Sequence, residues 1–234
     1  KSQFFIIKSG YNPSKKSIII LRHGEREDYA SYYNRNNKKN SEKINTHDPF
    51  ITKEGIKQAN KIGEKLQEIL KNNFNKEISE LNIQIESSPF IRAIMTSYNL
   101  MKKLTNEENS KIKININYGL YELNNKYLNS SDPESHLFIN QQNETQKKYS
   151  EKINFSEINN QIGNINKNNK PNFPESENEF ERRLKKTVKE LRNNFEKNEN
   201  DNNNEEVLIL VTHDFCVMTI AEILKIDPRD LSYA

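Results

Sequence analysis

The chain predicts an α/β protein, a three-layer α/β/α sandwich built on a mainly parallel central sheet. Three observations carry that expectation. Residues 17–21 and 207–211 are short runs that are apolar at nearly every position, as strands covered on both faces are. Segments with apolar residues at three- and four-residue spacing alternate with such strands, the order that builds parallel sheets. Each of the two runs is followed within two residues by a histidine, His23 and His213. Both imidazoles would therefore arrive at the carboxyl ends of strands, the edge where open α/β sheets bind ligands.

Taken in order, 17–21 is the first central strand. Residues 29–50 are polar and asparagine-rich and read as a loop. Thr52 suits an N-cap, and Ile56, Ala59, Ile62, Leu66 and Ile69 share one face of a helix running to about Lys71. Leu81, Ile83 and Ile85 alternate through a strand at 81–86. Ser88 and Pro89 open the next helix, Ser88 as cap and Pro89 at the first helical position. Its core stripe is Ile91, Ile94, Met95, Tyr98, Met101 and Leu104. Ile112, Ile114 and Ile116 mark a third strand, and 120–123 a short segment beyond it. Residues 124–172, which include Pro133 and Pro171, read as a polar insertion lying over the sheet edge. Order returns at 177–196, where Phe180, Leu184, Val188, Leu191 and Phe195 share a helical face. A surface loop at 198–206, the second central strand and a helix at 215–224, capped by Asp214, complete the pattern. His47 and His136 fall in polar loops and read as exposed.

At 234 residues the chain fits one domain, 1–234, with a sizeable core. Only 33% of residues are hydrophobic and 29% are charged, so the loops carry much of the polarity. The net charge is +3, with both signs interspersed. That pattern lacks the basic stripe of a nucleic-acid protein. The single cysteine, Cys216, excludes an internal disulfide and fits a reducing, cytoplasmic compartment. No apolar stretch approaches the ~20 residues of a membrane span. The missing initiating Met and the stop at Ala234 read as trimmed ends.

Arg22 and Arg26 flank His23, and Arg92 sits on the first turn of the helix opened by Ser88 and Pro89. Guanidinium groups and a helix amino terminus both favour phosphate. A phosphate monoester is dianionic and repels nucleophiles until its charge is offset, which fixed guanidiniums can do without a metal. A neutral imidazole is a competent nucleophile near neutral pH. His23 is the better candidate, because Gly24 lets backbone and substrate approach closely; His213 would stabilise the phosphoryl oxygens. The leaving oxygen needs a general acid. Glu122 is the first choice and Asp214 the second. Plainer alternatives exist: Arg26 as a surface charge, Glu122 as a solvated loop carboxylate, Asp214 as a helix cap.

These residues resemble the histidine phosphatase superfamily, the phosphoglycerate mutase-like fold. Arg22-His23-Gly24 resembles the signature whose histidine becomes phosphorylated. The block from Ser87 to Thr96 is similar to the one that supplies a further phosphate-binding arginine, here Arg92. The stretch from Pro49 to Ala59 resembles the connecting helix, and Val211-Thr212-His213 the second-histidine block. Leu120-Tyr121-Glu122 matches the place where many members carry their acid glutamate. His213-Asp214 is similar instead to the acid phosphatase and phytase branch, where that aspartate is the acid. The residues from Arg22 to Asp28 look more like phosphatases than mutases. They resemble the tyrosine phosphatase domain of the ubiquitin-associated and SH3-domain-containing proteins. The family usually has a further strand after the last helix, which is expected to be missing here.

The resemblance implies a metal-independent phosphomonoesterase without cofactor. His23 would form a phosphohistidine, Glu122 would serve as acid and then base, and Arg22, Arg26, Arg92 and His213 would hold the charge. The partner would be a phosphorylated small molecule or phosphoprotein, with no nucleic acid and no membrane span. The rivals are a phosphoglycerate-type mutase and a non-catalytic subunit of a larger assembly. A homodimer is equally open.

Overall fold

Strict alternation along two strands sorts the core into two layers. The computed structural model describes residues 5–6, 16–28, 47–105, 111–126, 132–140, 155–197, 205–226 and 232–233. Its strands are β1 (Phe5–Ile6), β2 (Lys16–Arg22), β3 (Asn82–Ser87), β4 (Ile114–Asn117), β5 (Ile162–Asn166), β6 (Glu206–Thr212) and β7 (Ser232–Tyr233). Its helices are α1 (Lys53–Phe74), α2 (Ile91–Thr105), α3 (Phe155–Gln161), α4 (Glu177–Lys197) and α5 (Asp214–Ile223). Five strands form one sheet in the order β2-β6-β3-β4-β5, and every neighbouring pair is parallel. Successive side chains of a strand point to opposite faces. Ile19, Leu21, Val207, Ile209 and Val211 therefore pack with α1 and α2, on Leu66, Leu70, Ile94 and Met101. Ile18, Ile20, Leu208 and Leu210 pack on the other side with α4 and α5, on Leu184, Val188, Val217 and Ile220.

Helix α1 begins where expected: the Thr52 hydroxyl accepts from the Gly55 amide at 3.0 Å. It ends beyond Lys71, at Asn75, whose φ of 51° stops it in the left-handed region that asparagine tolerates. No described helix is long and apolar enough to cross a membrane.

Four local expectations are corrected. Ser88 and Pro89 precede α2 instead of starting it. The amide of its first residue, Ile91, is taken by the Asp48 carboxylate at 2.9 Å, a cap delivered from a distant segment. Helix α5 starts one residue earlier than expected. His213, extended at φ −115° and ψ 166°, is its N-cap residue, so Asp214 lies in the first turn and is exposed. The stretch 124–172 is more regular than one irregular insertion, since it supplies α3 and β5. Strand β5 is an edge strand with mostly exposed side chains, so main-chain pairing holds it where no apolar alternation could announce it. His47 and His136 are half-buried, with ring centroids 4.5 Å apart, because Asp48 also accepts the Phe138 amide at 2.9 Å and draws the two loops together.

Near the end of the chain, Ser232–Tyr233 pairs antiparallel with Phe5–Ile6. Residues 29–46 of the loop expected at 29–50, residues 198–204 of the loop expected at 198–206, and residues 127–131 and 141–154 of the expected insertion lie outside the described residues.

Candidate active site

Adjacent parallel strands set the spacing of the two histidines. Arg22 pairs with Thr212 in the β2–β6 ladder, and the His23 amide continues it by donating to the Thr212 carbonyl at 2.9 Å. His23 and His213 each follow their strand at once. Their rings meet edge-on, with centroids 5.3 Å apart, and both are buried.

The loop after β2 is pinned on all sides. The Gly24 amide donates to Thr96 Oγ1 at 2.9 Å, and the Glu25 amide to Gln58 Oε1 at 3.0 Å. A Cβ on Gly24 would stand 2.7 Å from the Gly55 carbonyl oxygen, so the turn is pressed directly onto the backbone of α1. The ring of His23 is oriented by its own loop, with Nδ1 lying 2.7 Å from the Gly24 carbonyl oxygen. A carbonyl only accepts, so Nδ1 carries the proton and Nε2 keeps its lone pair. His213 Nε2 lies 2.8 Å from the Ser88 hydroxyl, and the Phe90 ring stands edge-on to it with centroids 5.0 Å apart.

Arg92 is the second residue of α2 and is 1% exposed. Its Cζ lies 4.0 Å above the Phe90 ring. Nη2 donates to Glu122 Oε2 at 2.5 Å, and Nη1 stands 3.6 Å from Asp48 Oδ1. Glu122 Oε2 is also 3.8 Å from His213 Nδ1. Arg26 makes a two-pronged bond to Asp28, at 3.0 and 2.6 Å. Among the described residues, Arg22 Nε, Arg92 Nε, Arg92 Nη1 and His213 Nδ1 are buried without a hydrogen-bond partner. Such groups are costly to leave unsatisfied and are often explained by a ligand.

Charge and burial act on the imidazoles in the same direction. Burial, then Arg92 and Arg22, hold His23 well below the ordinary histidine range. Burial, then Arg92, hold His213 there too. Both rings are thus neutral at neutral pH. Asp48 is pushed up to about 7, chiefly by burial, with Arg92 the largest influence in the other direction.

The fold thus brings Arg22, His23, Arg26, Arg92, Glu122 and His213 to one sheet edge. Asp214 is exposed on the outer side of the α5 first turn, while Glu122 touches both Arg92 and His213. Sequence reasoning missed Asp48, which sits in an asparagine-rich loop with no local signal. It also missed the pairing of Ser88 with His213, having assigned that hydroxyl to a cap. The arrangement offers a lone pair beside buried cationic and N–H donors, which suits a tetrahedral oxyanion. Among the described residues, no group of three His, Cys, Asp or Glu is placed to hold a metal ion.

Residues 18–233 match the histidine phosphatase superfamily (branch 1), and the chain belongs to that superfamily. The ecdysone phosphate phosphatase of Bombix mori, solved with tungstate, shares the fold at a TM-score of 0.56. It is 17% identical, over 88% of this chain and 76% of that one. A phosphoserine phosphatase of Entamoeba histolytica, solved with 3-phosphoglyceric acid, is 20% identical over 91% of this chain and 82% of its own, with a TM-score of 0.43. A phosphoglycerate mutase of Bacillus anthracis is 18% identical over 90% and 81%, with a TM-score of 0.46. No curated protein sequence matches the chain.

Proposed function

We propose that this chain is a metal-independent phosphomonoesterase that passes the phosphoryl group through His23. The observation that carries the reading is the convergence of a free His23 Nε2 lone pair with buried, acceptor-less donors on Arg22 and Arg92, beside the ring of His213. A phosphoryl dianion satisfies those donors and brings phosphorus to the lone pair.

In the first step His23 Nε2 forms a bond to phosphorus as the opposite P–O bond breaks. Glu122 gives its proton to the leaving oxygen. In the second step water attacks phosphorus and the N–P bond breaks. Glu122 takes the proton from water, which returns the site to its starting state and releases inorganic phosphate. Arg22, Arg26, Arg92 and His213 stabilise the charge that develops on the phosphoryl oxygens, a kind of contribution worth about 3–4 kcal/mol per well-placed donor.

Rapid quench with a labelled aryl phosphate tests this reading. Wild type should trap label on a histidine, stable to base and lost in acid, and His23→Ala should trap none. If His23→Ala turns over at the wild-type rate, the nucleophile is elsewhere. Transfer of label to an added hydroxy acid instead of water would make the chain a mutase. Absence of turnover across a panel of phosphoesters would make it a non-catalytic member of its superfamily.

A further inference from the structure

Outside the site, and among the described residues, a deeply buried ion pair lies between the start of α4 and the loop before it. Arg183 and Glu175 are 7% and 4% exposed. They meet fork to fork, Nε to Oε1 and Nη2 to Oε2, both at 2.7 Å. The third guanidinium nitrogen turns away from Glu175 and donates to two main-chain carbonyls, Gly119 at 2.8 Å and Tyr121 at 3.1 Å. Glu175 does the same on the far side. Its Oε2 accepts the Asn124 amide at 3.3 Å, and its own amide donates to the Asn124 carbonyl at 2.7 Å. One residue lies between Tyr121 and the pair Leu123-Asn124, and it is Glu122.

The same short segment is gripped from two more elements. Thr212 Oγ1, at the end of β6, donates to the Leu120 carbonyl at 2.8 Å, and Cys216 Sγ of α5 lies 3.3 Å from the Tyr121 carbonyl. A Cβ on Gly119 would fall 2.2 Å from Thr187 Oγ1, so only glycine lets this backbone lie flat on α4. A buried ion pair is a weak way to gain stability, since apolar residues of equal volume often serve as well or better. What a planar fork supplies and an apolar side chain does not is direction.

We propose that the Arg183–Glu175 pair is a positioning device that aims Glu122 at the leaving-group oxygen. The pair acts through the backbone on either side of Glu122, which it holds by hydrogen bonds to Gly119, Tyr121 and Asn124. This rests on the reading of Glu122 as general acid. A chain loosened here keeps its nucleophile and arginines but delivers its proton poorly. The loss should therefore scale with how badly the leaving group needs a proton.

The test compares kcat/KM for an activated aryl phosphate, whose phenoxide leaves unprotonated, and an unactivated alkyl phosphate. This parameter covers steps only through P–O cleavage, so hydrolysis of the phosphohistidine does not enter. Arg183→Met should lower kcat/KM on the alkyl ester about 100-fold, the usual worth of a positioned acid, and change the aryl ester little. Arg183→Lys, which keeps charge but not the fork, should fall between. Glu175→Gln, nearly isosteric, serves if Arg183→Met does not fold, and should show the same selectivity. Equal losses on both esters, or none, would overturn the proposal and leave the pair a purely structural one. Glu122→Gln separates the two layers of the argument. If it is not selective for the alkyl ester, the acid assignment falls and the positioning role with it. If it is selective and the pair variants are not, only the positioning role falls.

Discussion

Arg92→Met tests whether the buried arginine is also the counter-charge of Asp48. The Asp48 carboxyl is 1% exposed, with Oδ1 3.6 Å from Nη1, and it titrates at about 7 because burial outweighs the pull of Arg92. Without the guanidinium that value rises further. A carboxyl group whose folded pKa lies above its unfolded one contributes most stability below the unfolded value. That contribution is lost as pH rises to the folded value. In the wild type this loss is complete soon after pH 7. In Arg92→Met it continues above pH 7, at about 1.4 kcal/mol per pH unit for one proton. Where Asp48 is forced to ionise, removal of its buried partner costs about 3–5 kcal/mol. Urea unfolding from about pH 7 to about pH 8.5, clear of the histidines, should show the gap between variant and wild type widening with pH. The double variant Asp48→Asn with Arg92→Met should lose the widening. Parallel stability curves above pH 7 would refute the coupling.

Three further outcomes are expected. Gly24→Ala drives a Cβ to 2.7 Å from a backbone oxygen, so the loop bearing His23 must shift. Thermal unfolding should register about 1–3 kcal/mol of destabilisation, and kcat/KM a loss of about 100-fold. Because both imidazoles are held well below the ordinary histidine range, the acid limb of the kcat/KM profile should fall below pH 6.5. The same sign applies to stability: burying neutral histidines contributes above their unfolded pKa and is lost as pH falls below it. An acid limb at or above pH 6.5 would contradict the burial of the pair. Asp214→Ala should leave kcat unchanged and stability within about 0.5 kcal/mol, as for an exposed surface residue, and a large loss of turnover would restore it as the acid.

The two central strands and the stripes of α1, α2 and α4 were legible because each buries a regular set of side chains, which forces a period on the sequence. Strand β5 was not, because Ile162-Gly163-Asn164-Ile165-Asn166 joins the sheet through its main chain and leaves most of its side chains to solvent. Arg22, His23, Arg92 and His213 could be placed at one edge because they adjoin strand ends or helix starts, whose location follows from the period. Asp48 could not, since its role depends on contact with Ile91 and Phe138, 43 and 90 residues away. The Arg183 signal was present but unread. Phe180, Arg183, Thr187 and Leu191 follow helical spacing, and all four are buried, so a charge within that stripe marks a partner in the core.

The ladder between β2 and β6 has a consequence for how this chain can change over generations. The distance separating His23 from His213 is inherited from the repeat between neighbouring strands, about 4.8 Å, and owes nothing to the length of any connection. Lengthening a surface connection costs little, roughly 0.6 kcal/mol for each doubling. Connections between the elements can grow, shrink or drift in composition while the two rings keep their mutual reach, so the chain can vary between its strands and helices without rebuilding the centre.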